Sequence, residues 1–229
     1  MIDIFIKSYY KDFKFLNYCL KSIEKNVIGY NKIVLVIPEQ DEQELINIID
    51  KDLKVKIELI KVREYGNGYL FQQWIKISAH KYCSSEKIMY VDSDCIFHNY
   101  IDLSNINKPE ILYTLYSKVG DALCWKQPTE NFMNEIVEFE FMRRNGLIYY
   151  RDTLVKINEL KPNLENTIMS SQSFSEFNAM GAYAFKYEKD KYSFVNTDEW
   201  IYTEPLVKQY WSWGGIGSVE DEIKALING

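Results

Sequence analysis

Two aspartates near the middle of the chain, Asp92 and Asp94, have the residue type and spacing of a metal site. They follow an apolar run at residues 88–91, and side chains two apart at the end of a strand point to the same side. Two carboxylates held this close require a cation. Hard divalent ions such as Mg²⁺ or Mn²⁺ prefer oxygen ligands and keep positions open for phosphates. The pair, with Ser93 between them, therefore predicts a Mn²⁺ or Mg²⁺ site that binds a diphosphate; a solvated turn is the alternative.

The loop after the first apolar run has side chains of the kinds that bind a nucleoside. They are Lys7, Ser8, Tyr9, Tyr10 and Asp12. Either tyrosine can stack on a base, and Ser8 or Asp12 can form hydrogen bonds with a base or a ribose. The alternative for Asp12 is that it only caps the helix predicted to begin at the next residue.

A third group of polar side chains lies in an otherwise apolar helical pattern. Gln72 and Gln73 stand four and three residues before Lys76, so an amide and an ammonium can point to one patch. A lysine ammonium there suits a phosphate, and we expect Gln73 and Lys76 to contact the same phosphate-containing ligand. A solvated helix face is the alternative interpretation.

Glu176 is the candidate for general-base chemistry on a hydroxyl group. It follows Ser175, a good helix N-cap, and aromatic neighbours lower the local dielectric around its carboxylate. Such a group can act as general base for an acceptor hydroxyl, or orient that hydroxyl by a hydrogen bond. Alternatively, it only complements the dipole of a helix that begins there.

The carboxyl-terminal region has two weaker candidates. Asp198 and Glu199, beside Trp200, form a second carboxylate pair. Trp211 and Trp213 precede three glycines, a composition that suits either a flap over a ligand or an anchor that packs the tail. We expect at least one of the two indoles to pack.

Apolar periodicity predicts the elements that position these residues. Strands are predicted at residues 2–7, 32–37, 54–62 and 87–91, and helices at 12–25, 42–49 and 69–83. Further along, a strand is predicted at 111–116 and helices at 131–144, 151–160 and 175–187, followed by an irregular last forty residues. The alternation predicts an α/β fold with a mostly parallel, Rossmann-like sheet flanked by helices. In such a sheet, ligands bind at the carboxyl ends of strands, which is where Asp92 and Asp94 are predicted to lie.

Composition excludes several classes of function. The 229 residues include 27 Lys or Arg and 33 Asp or Glu, a formal net charge of −6, so we expect no nucleic-acid partner. No apolar run approaches the roughly 20 residues needed to cross a bilayer, and no secretory signal is recognised, which predicts a cytoplasmic protein. The four cysteines have no metal-site spacing and are expected to be free thiols.

Four segments resemble glycosyltransferases of the GT-A fold, in particular small bacterial and large-DNA-virus members. The run VDSDCIF at residues 91–97 is similar to their DxD motif. The segments IKSYYKDF at 6–13 with CLKSI at 19–23, GYLFQQWIK at 68–76 and SEFNAMG at 175–181 resemble their first strand and helix, their donor-side helix and an acceptor-side helix.

The resemblance implies a single GT-A-like domain over residues 1–229, with a nucleotide-sugar-binding half at 1–100 and an acceptor half at 101–229. It implies a metal-dependent enzyme that moves a sugar from a nucleotide-diphospho-sugar, taken as UDP-linked, to a hydroxyl of a glycan or glycoconjugate. Asp92 and Asp94 would bind the metal, Asp94 acting directly in catalysis. Many members add a histidine ligand near the C-terminus, whereas the histidines here are His80 and His98. His98 either approaches the metal site or, as we expect, only follows the strand.

Two other functions are compatible with parts of the pattern. A nucleotidyltransferase acting on sugar phosphates uses a similar sheet, but it would carry a glycine-rich basic loop after the first strand, and residues 7–12 contain no glycine. A noncatalytic carbohydrate-binding module would use the aromatic residues for recognition and leave the DxD without a catalytic role.

Overall fold

The computed structural model describes residues 1–143, 147–197 and 207–228. The strands are β1 (Ile2–Lys7), β2 (Val27–Ile28), β3 (Ile33–Pro38), β4 (Ile57–Val62), β5 (Lys87–Tyr90), β6 (Cys95–Phe97), β7 (Ile101–Asp102), β8 (Glu110–Leu115), β9 (Phe139–Glu140), β10 (Ile148–Tyr150), β11 (Ser193–Asn196) and β12 (Val207–Gln209). The α-helices are α1 (Phe13–Asn26), α2 (Glu42–Ile48), α3 (Gly68–Ile77), α4 (Lys126–Met133), α5 (Arg151–Leu160), α6 (Leu164–Met169), α7 (Glu176–Tyr187) and α8 (Glu220–Asn228).

The main sheet confirms the predicted mostly parallel arrangement. Its strand order is β10-β5-β1-β3-β4. Strands β5, β1, β3 and β4 are parallel, while β10 is antiparallel to β5 at one edge. In the centre of the sheet, Ile4 of β1 is in register with Ile33 of β3 on one side and with Met89 of β5 on the other.

Apolar layers cover both faces of this sheet. Along β1, Phe5 packs into one layer with residues of α3, α5 and α7, while Ile4 and Ile6 pack into the other with residues of α1 and α8. Since alternate side chains point to opposite faces, a strand buried on both faces must be apolar at consecutive positions. This explains why β1 and β3 are continuous apolar runs in the sequence.

The order of the strands reverses beside β1. From β1 the chain continues to β3 and β4 on one side, and it then returns to β5 on the other side. Ligands of open α/β sheets bind outside the carboxyl ends of the strands where the strand order reverses in this way. The loops after β1 and β5, which contain the candidate donor and metal residues, flank that point.

The prediction of a helix over residues 131–144 is wrong. Helix α4 ends at Met133, and the next residue, Asn134, adopts a left-handed conformation with φ of 57° that terminates it. The chain then forms β9, which pairs antiparallel with β8, with Thr114 opposite Glu140. Pairing with a strand distant in sequence therefore overrides the helical pattern of this segment.

Two other boundaries differ from the predictions. Helix α3 ends at Ile77 instead of continuing to residue 83, and a 3₁₀ turn follows at Ala79–Lys81. The tail is not irregular throughout, because it contains β12 and α8. Helix α8 packs on α1 through the fully buried Ile223 and through a hydrogen bond from the Tyr18 hydroxyl to Glu220, 2.7 Å long.

Two findings concern the cysteines and the membrane. Cys19, Cys83, Cys95 and Cys124 are free thiols, as predicted. Within the described residues, no helix is both long enough and apolar enough to span a bilayer.

Candidate active site

Asp94 follows β5 near the reversal of the strand order, and the carboxyl-terminal segment fixes its carboxylate. The Ser212 backbone N–H donates to Oδ2 over 3.0 Å, and the Gln209 amide donates to Oδ1 over 3.2 Å. The Asp94 carbonyl accepts a further bond of 2.9 Å from the Tyr210 N–H. Burial raises the pKa of Asp94, and the neighbouring Asp92 charge raises it further.

Asp12 joins these two carboxylates in one like-charged group. Burial, followed by the charges of Asp94 and Asp92, raises the pKa of Asp12 to about 6, although a hydrogen bond with the Ser212 side chain acts in the opposite direction. Asp12 occupies the N-cap position of α1, yet its side chain makes no capping hydrogen bond. The capping interpretation is therefore wrong, and tertiary structure places Asp12 in the same electrostatic environment as the DxD pair.

Lys76 links the DxD motif to α7. Its ammonium lies 2.6 Å from Asp92 Oδ1 and 2.9 Å from Glu176 Oε1, and the side chain is only 5% exposed. Burial alone would lower the pKa of Lys76, but the two carboxylates raise it further than burial lowers it. The solvated-face interpretation is wrong for this lysine, which is buried and paired with two carboxylates.

Glu176 is enclosed at the start of α7. Its side chain is 3% exposed, and burial raises its pKa while Lys76 lowers it. Ser175 is the N-cap, as predicted, and its hydroxyl accepts from the Asn178 N–H. The Gln73 amide oxygen accepts from the Glu176 backbone N–H over 3.1 Å, so two side chains of α3, those of Gln73 and Lys76, hold the first residue of α7.

The loop after β1 lies beside the carboxylates and contains an enclosed cation. Lys7 is buried, donates to the Ser8 carbonyl over 3.1 Å, and forms an ion pair with Glu64 at 3.5 Å. Burial lowers the pKa of Lys7, against the raising effect of Glu64. The Ser8 hydroxyl is buried and finds no hydrogen-bond partner in the described parts of the chain, which suits a ligand at this loop. Tyr9 packs edge-on against Tyr10, which is 51% exposed.

The site includes residues that the sequence analysis missed. Ser212 and Gln209 bind Asp94, Glu64 pairs with Lys7, and Asp41 accepts from the Tyr10 N–H over 3.0 Å. A signal existed for two of them, because Asp41 and Glu64 follow the carboxyl ends of β3 and β4, where ligands bind in sheets of this kind. Nothing in the local sequence distinguishes Ser212 or Gln209.

The remaining candidates lie elsewhere or are not described. Ser93 is buried between the two aspartates, and His98 follows the end of β6. Asp198 and Glu199 lie outside the described residues. Trp211 and Trp213 are 62% and 84% exposed, so the expectation that one of them packs is wrong.

The carboxylate oxygens of Asp92 and Asp94 are of the type that would suit a divalent cation held jointly by protein and substrate. In the described segments, no group of three or more His, Cys, Asp or Glu side chains is arranged to hold a metal by itself. Mg²⁺ is commonly bound through one or two carboxylates plus substrate phosphates, without an all-protein cage. Asp92 and Asp94 are such a pair. The Asp92 charge raises the pKa of Asp94, and a bound cation would offset this repulsion.

Comparisons with known proteins find no family model that matches this chain and no curated protein that is similar to it. The function is therefore inferred from the geometry of the site.

Proposed function

We propose that this chain is a metal-dependent glycosyltransferase of the GT-A type. It would move a sugar from a nucleotide-diphospho-sugar, UDP-linked, to a hydroxyl of a glycan or glycoconjugate. The observation that carries the proposal is the position of Asp92 and Asp94. They follow β5 at the point where the strand order reverses, with Asp12 in their electrostatic environment and the buried Lys76 bound to Asp92.

The charges of the site suit the departure of a diphosphate. Mn²⁺ or Mg²⁺ bound by Asp92 and Asp94 would offset the negative charge that develops on this leaving group. Lys76 holds one oxygen of Asp92 at 2.6 Å, which limits the rotation of that carboxylate. Ser212 and Gln209 limit the rotation of Asp94 in the same way. Both carboxylates are thus oriented before any ligand binds, which lowers the reorganisation needed for catalysis.

The loop after β1 is the proposed nucleoside site. The Ser8 hydroxyl has no partner among the described residues, so it and the ring of Tyr9 are available to a base or ribose. The charges of Asp94, Asp92 and Lys7 all act on the Asp12 carboxylate. Glu176, which is linked to Asp92 through Lys76, is proposed to act in one of two ways. It either serves as general base for the acceptor hydroxyl, or it fixes the position of the Lys76 ammonium. Its enclosure beside Lys76 gives the second role direct support.

The test is thermal unfolding with UDP and Mn²⁺. A ligand at about 100 times its Kd adds roughly 2.7 kcal/mol to the free energy of unfolding. For a chain of this size that corresponds to a rise in Tm of about 5–10 °C. We expect this rise with UDP and Mn²⁺ together and a much smaller one with UDP and a chelator. Equal shifts in the two conditions would exclude the metal-dependent site.

Nucleotide release separates the proposal from its two rivals. A panel of UDP-sugars incubated with Mn²⁺ should release UDP, slowly to water and faster to an acceptor. Formation of a nucleotide-sugar from UTP and a sugar phosphate would instead identify a nucleotidyltransferase. Binding of saccharides without any nucleotide release would identify a noncatalytic module.

A further inference from the structure

One face of α3 runs from the DxD pair towards the partly exposed Tyr69, which is hydrogen-bonded to the half-buried Trp125. Tyr69, Gln73 and Lys76 stand at positions i, i+4 and i+7, so they share this face. All three contact the start of α7: the Tyr69 hydroxyl donates to the Phe174 carbonyl, Gln73 accepts from the Glu176 N–H, and Lys76 pairs with the Glu176 carboxylate. The order along the helix therefore places Tyr69 on the far side of Glu176 from Asp92.

Tyr69 and Trp125 are fixed by their polar atoms. The Trp125 indole N–H donates to the Tyr69 hydroxyl over 2.9 Å, while that hydroxyl donates to Phe174. Burial of the hydroxyl end raises the pKa of Tyr69 to about 12, so the proton needed for the second bond is retained at neutral pH. The side chain is nevertheless 42% exposed. The Tyr69 hydroxyl and the Trp125 indole N–H already form hydrogen bonds within the chain. A ligand would therefore contact mainly the ring carbons.

We infer that Tyr69 and Trp125 form the acceptor platform of this enzyme and bind a pyranose ring of the acceptor. This inference rests on the proposed function. A sugar ring has an apolar face of C–H groups that packs on an aromatic ring, with hydroxyl groups around its edge. Two aromatic side chains held in fixed orientation match that chemistry at a low cost in side-chain entropy.

The platform stands at a suitable position for transfer. Tyr69 and Lys76 are seven residues apart in α3, which corresponds to a separation of about 10 Å along the helix axis. That separation leaves room for a donor sugar between the diphosphate, bound at the DxD end, and an acceptor ring on Tyr69. Glu176 lies between the two, and its charge contributes to the raised pKa of Tyr69.

Cys124 provides a reporter of occupancy that does not depend on turnover. It is exposed, it precedes Trp125 in the chain, and its carbonyl accepts from the Ser173 hydroxyl over 2.8 Å. The next residue, Trp125, donates to the Tyr69 hydroxyl, which places Cys124 close to the platform. Since Cys19, Cys83 and Cys95 are buried, alkylation of the native protein should occur at Cys124 first.

The experiment measures the rate of iodoacetamide labelling at Cys124 by mass spectrometry, with UDP and Mn²⁺ present. The probes are methyl pyranosides of glucose, galactose, mannose and N-acetylglucosamine, and glycerol is the polyol control. We expect at least one pyranoside to slow labelling, by about tenfold at ten times its Kd, while glycerol does not. Unchanged labelling with every pyranoside would overturn the inference.

Variants connect the protection to the aromatic rings. Tyr69→Leu keeps an apolar helix former but removes the ring, so the pyranoside should no longer slow labelling. Tyr69→Phe keeps the ring and should retain most of the protection. Tyr100→Ala removes an exposed tyrosine beyond the end of β6, 63% exposed, and should leave the protection unchanged. Protection that survives in Tyr69→Leu would exclude Tyr69 from the platform.

The two proposals fail in different ways. A thermal shift with UDP and Mn²⁺ but no protection of Cys124 by any pyranoside would retain the transferase and reject this platform. Protection of Cys124 without a thermal shift would retain a saccharide site at Tyr69 and reject the nucleotide-sugar donor.

Discussion

Lys76 and Glu176 form an ion pair, 2.9 Å from Nζ to Oε1, in which the two side chains are 5% and 3% exposed. A buried pair of this kind contributes little net stability compared with apolar side chains, but removal of one partner leaves a costly unpaired charge. Here Asp92, at 2.6 Å, keeps Lys76 paired when Glu176 is neutralised. The pair is therefore better suited to fixing the direction of the Lys76 ammonium than to stabilising the fold.

Glu176→Gln tests the role of this carboxylate. We expect the variant to lose about 1–3 kcal/mol of stability, because a buried hydrogen-bonding partner of Lys76 is weakened. Transfer should fall by about 10²–10⁴-fold if general-base catalysis is lost, while the thermal shift with UDP and Mn²⁺ remains. Urea unfolding and an initial-rate assay measure the two effects.

The matched control is Glu188→Gln. Glu188 is also buried, and its carboxylate pairs at 2.6 Å with Lys156, a residue of α5. It should lose stability to a similar degree and keep its transfer rate. A Glu176→Gln enzyme with normal transfer would reduce Glu176 to a structural residue at the helix start.

Asp92→Asn and Asp94→Asn test the metal ligands. Each change keeps the size of the side chain and removes a charge, so each variant should fold but lose most turnover and the Mn²⁺-dependent part of the UDP thermal shift. Because Asp92 raises the pKa of Asp94, Asp94→Asn relieves repulsion and should not destabilise the metal-free protein. Asp92→Asn also weakens the ion pair with the buried Lys76, so it should cost about 1–3 kcal/mol of stability. Asp52→Asn, an exposed aspartate between α2 and β4, is the control. Full activity in Asp94→Asn would exclude it as an essential ligand.

The carboxylate group should also influence how stability depends on pH. Asp12 has a folded-state pKa of about 6, raised by burial and by Asp94 and Asp92 from an ordinary value of 3.8. Between these two values the folded state binds more protons than the unfolded state, so the contribution of Asp12 to stability falls as pH rises through this window. The cost is fully present above pH 6 and absent below about pH 4.

Asp12→Asn should therefore gain stability over the wild type as pH increases from 4.5 to 7.5, by about 1–3 kcal/mol at the upper end. The measurement is the difference in Tm between the two proteins at each pH, without metal. Addition of Mn²⁺ at pH 7.5 should reduce the difference, since the cation offsets the same repulsion. A difference that is constant with pH would contradict the assignment of Asp12 to the like-charged group.

Gly181 should be required for the close packing of α7 on the segment around β9. A Cβ built on Gly181 would lie 2.4 Å from Cβ of Phe141, closer than atoms can approach without movement. Gly181→Ala should thus destabilise the protein by about 1–3 kcal/mol. A Cβ built on Gly120 would have no atom within 4 Å among the described residues other than its chain neighbours, so Gly120→Ala should change stability little. Equal midpoints of urea unfolding for the two variants would show that Phe141 moves freely.

Much of the first half of the chain could be predicted from the sequence because its signals are local. Continuous apolar runs identify strands buried on both faces, and β1, β3 and β5 were found within one or two residues. The alternation of strands with helices then predicts a parallel sheet, and Asp92 and Asp94 must stand at its ligand-binding edge because they directly follow a strand. The same local reasoning was wrong at residues 131–144, where pairing with β8 decides the conformation of β9.

The tertiary structure alone decided which side chains meet. Lys76 and Glu176 are 100 residues apart, and the Ser212 N–H that orients Asp94 lies 118 residues from it in the chain. Periodicity reports which side of an element is apolar, but it does not report which distant polar group will lie opposite. From the sequence alone, a lysine on an apolar helix is therefore interpreted as solvated. In the folded protein, α7 and the loop after β5 place two carboxylates beside Lys76. The pairing of charges arises from the packing of whole elements, and that packing depends on the chain as a whole.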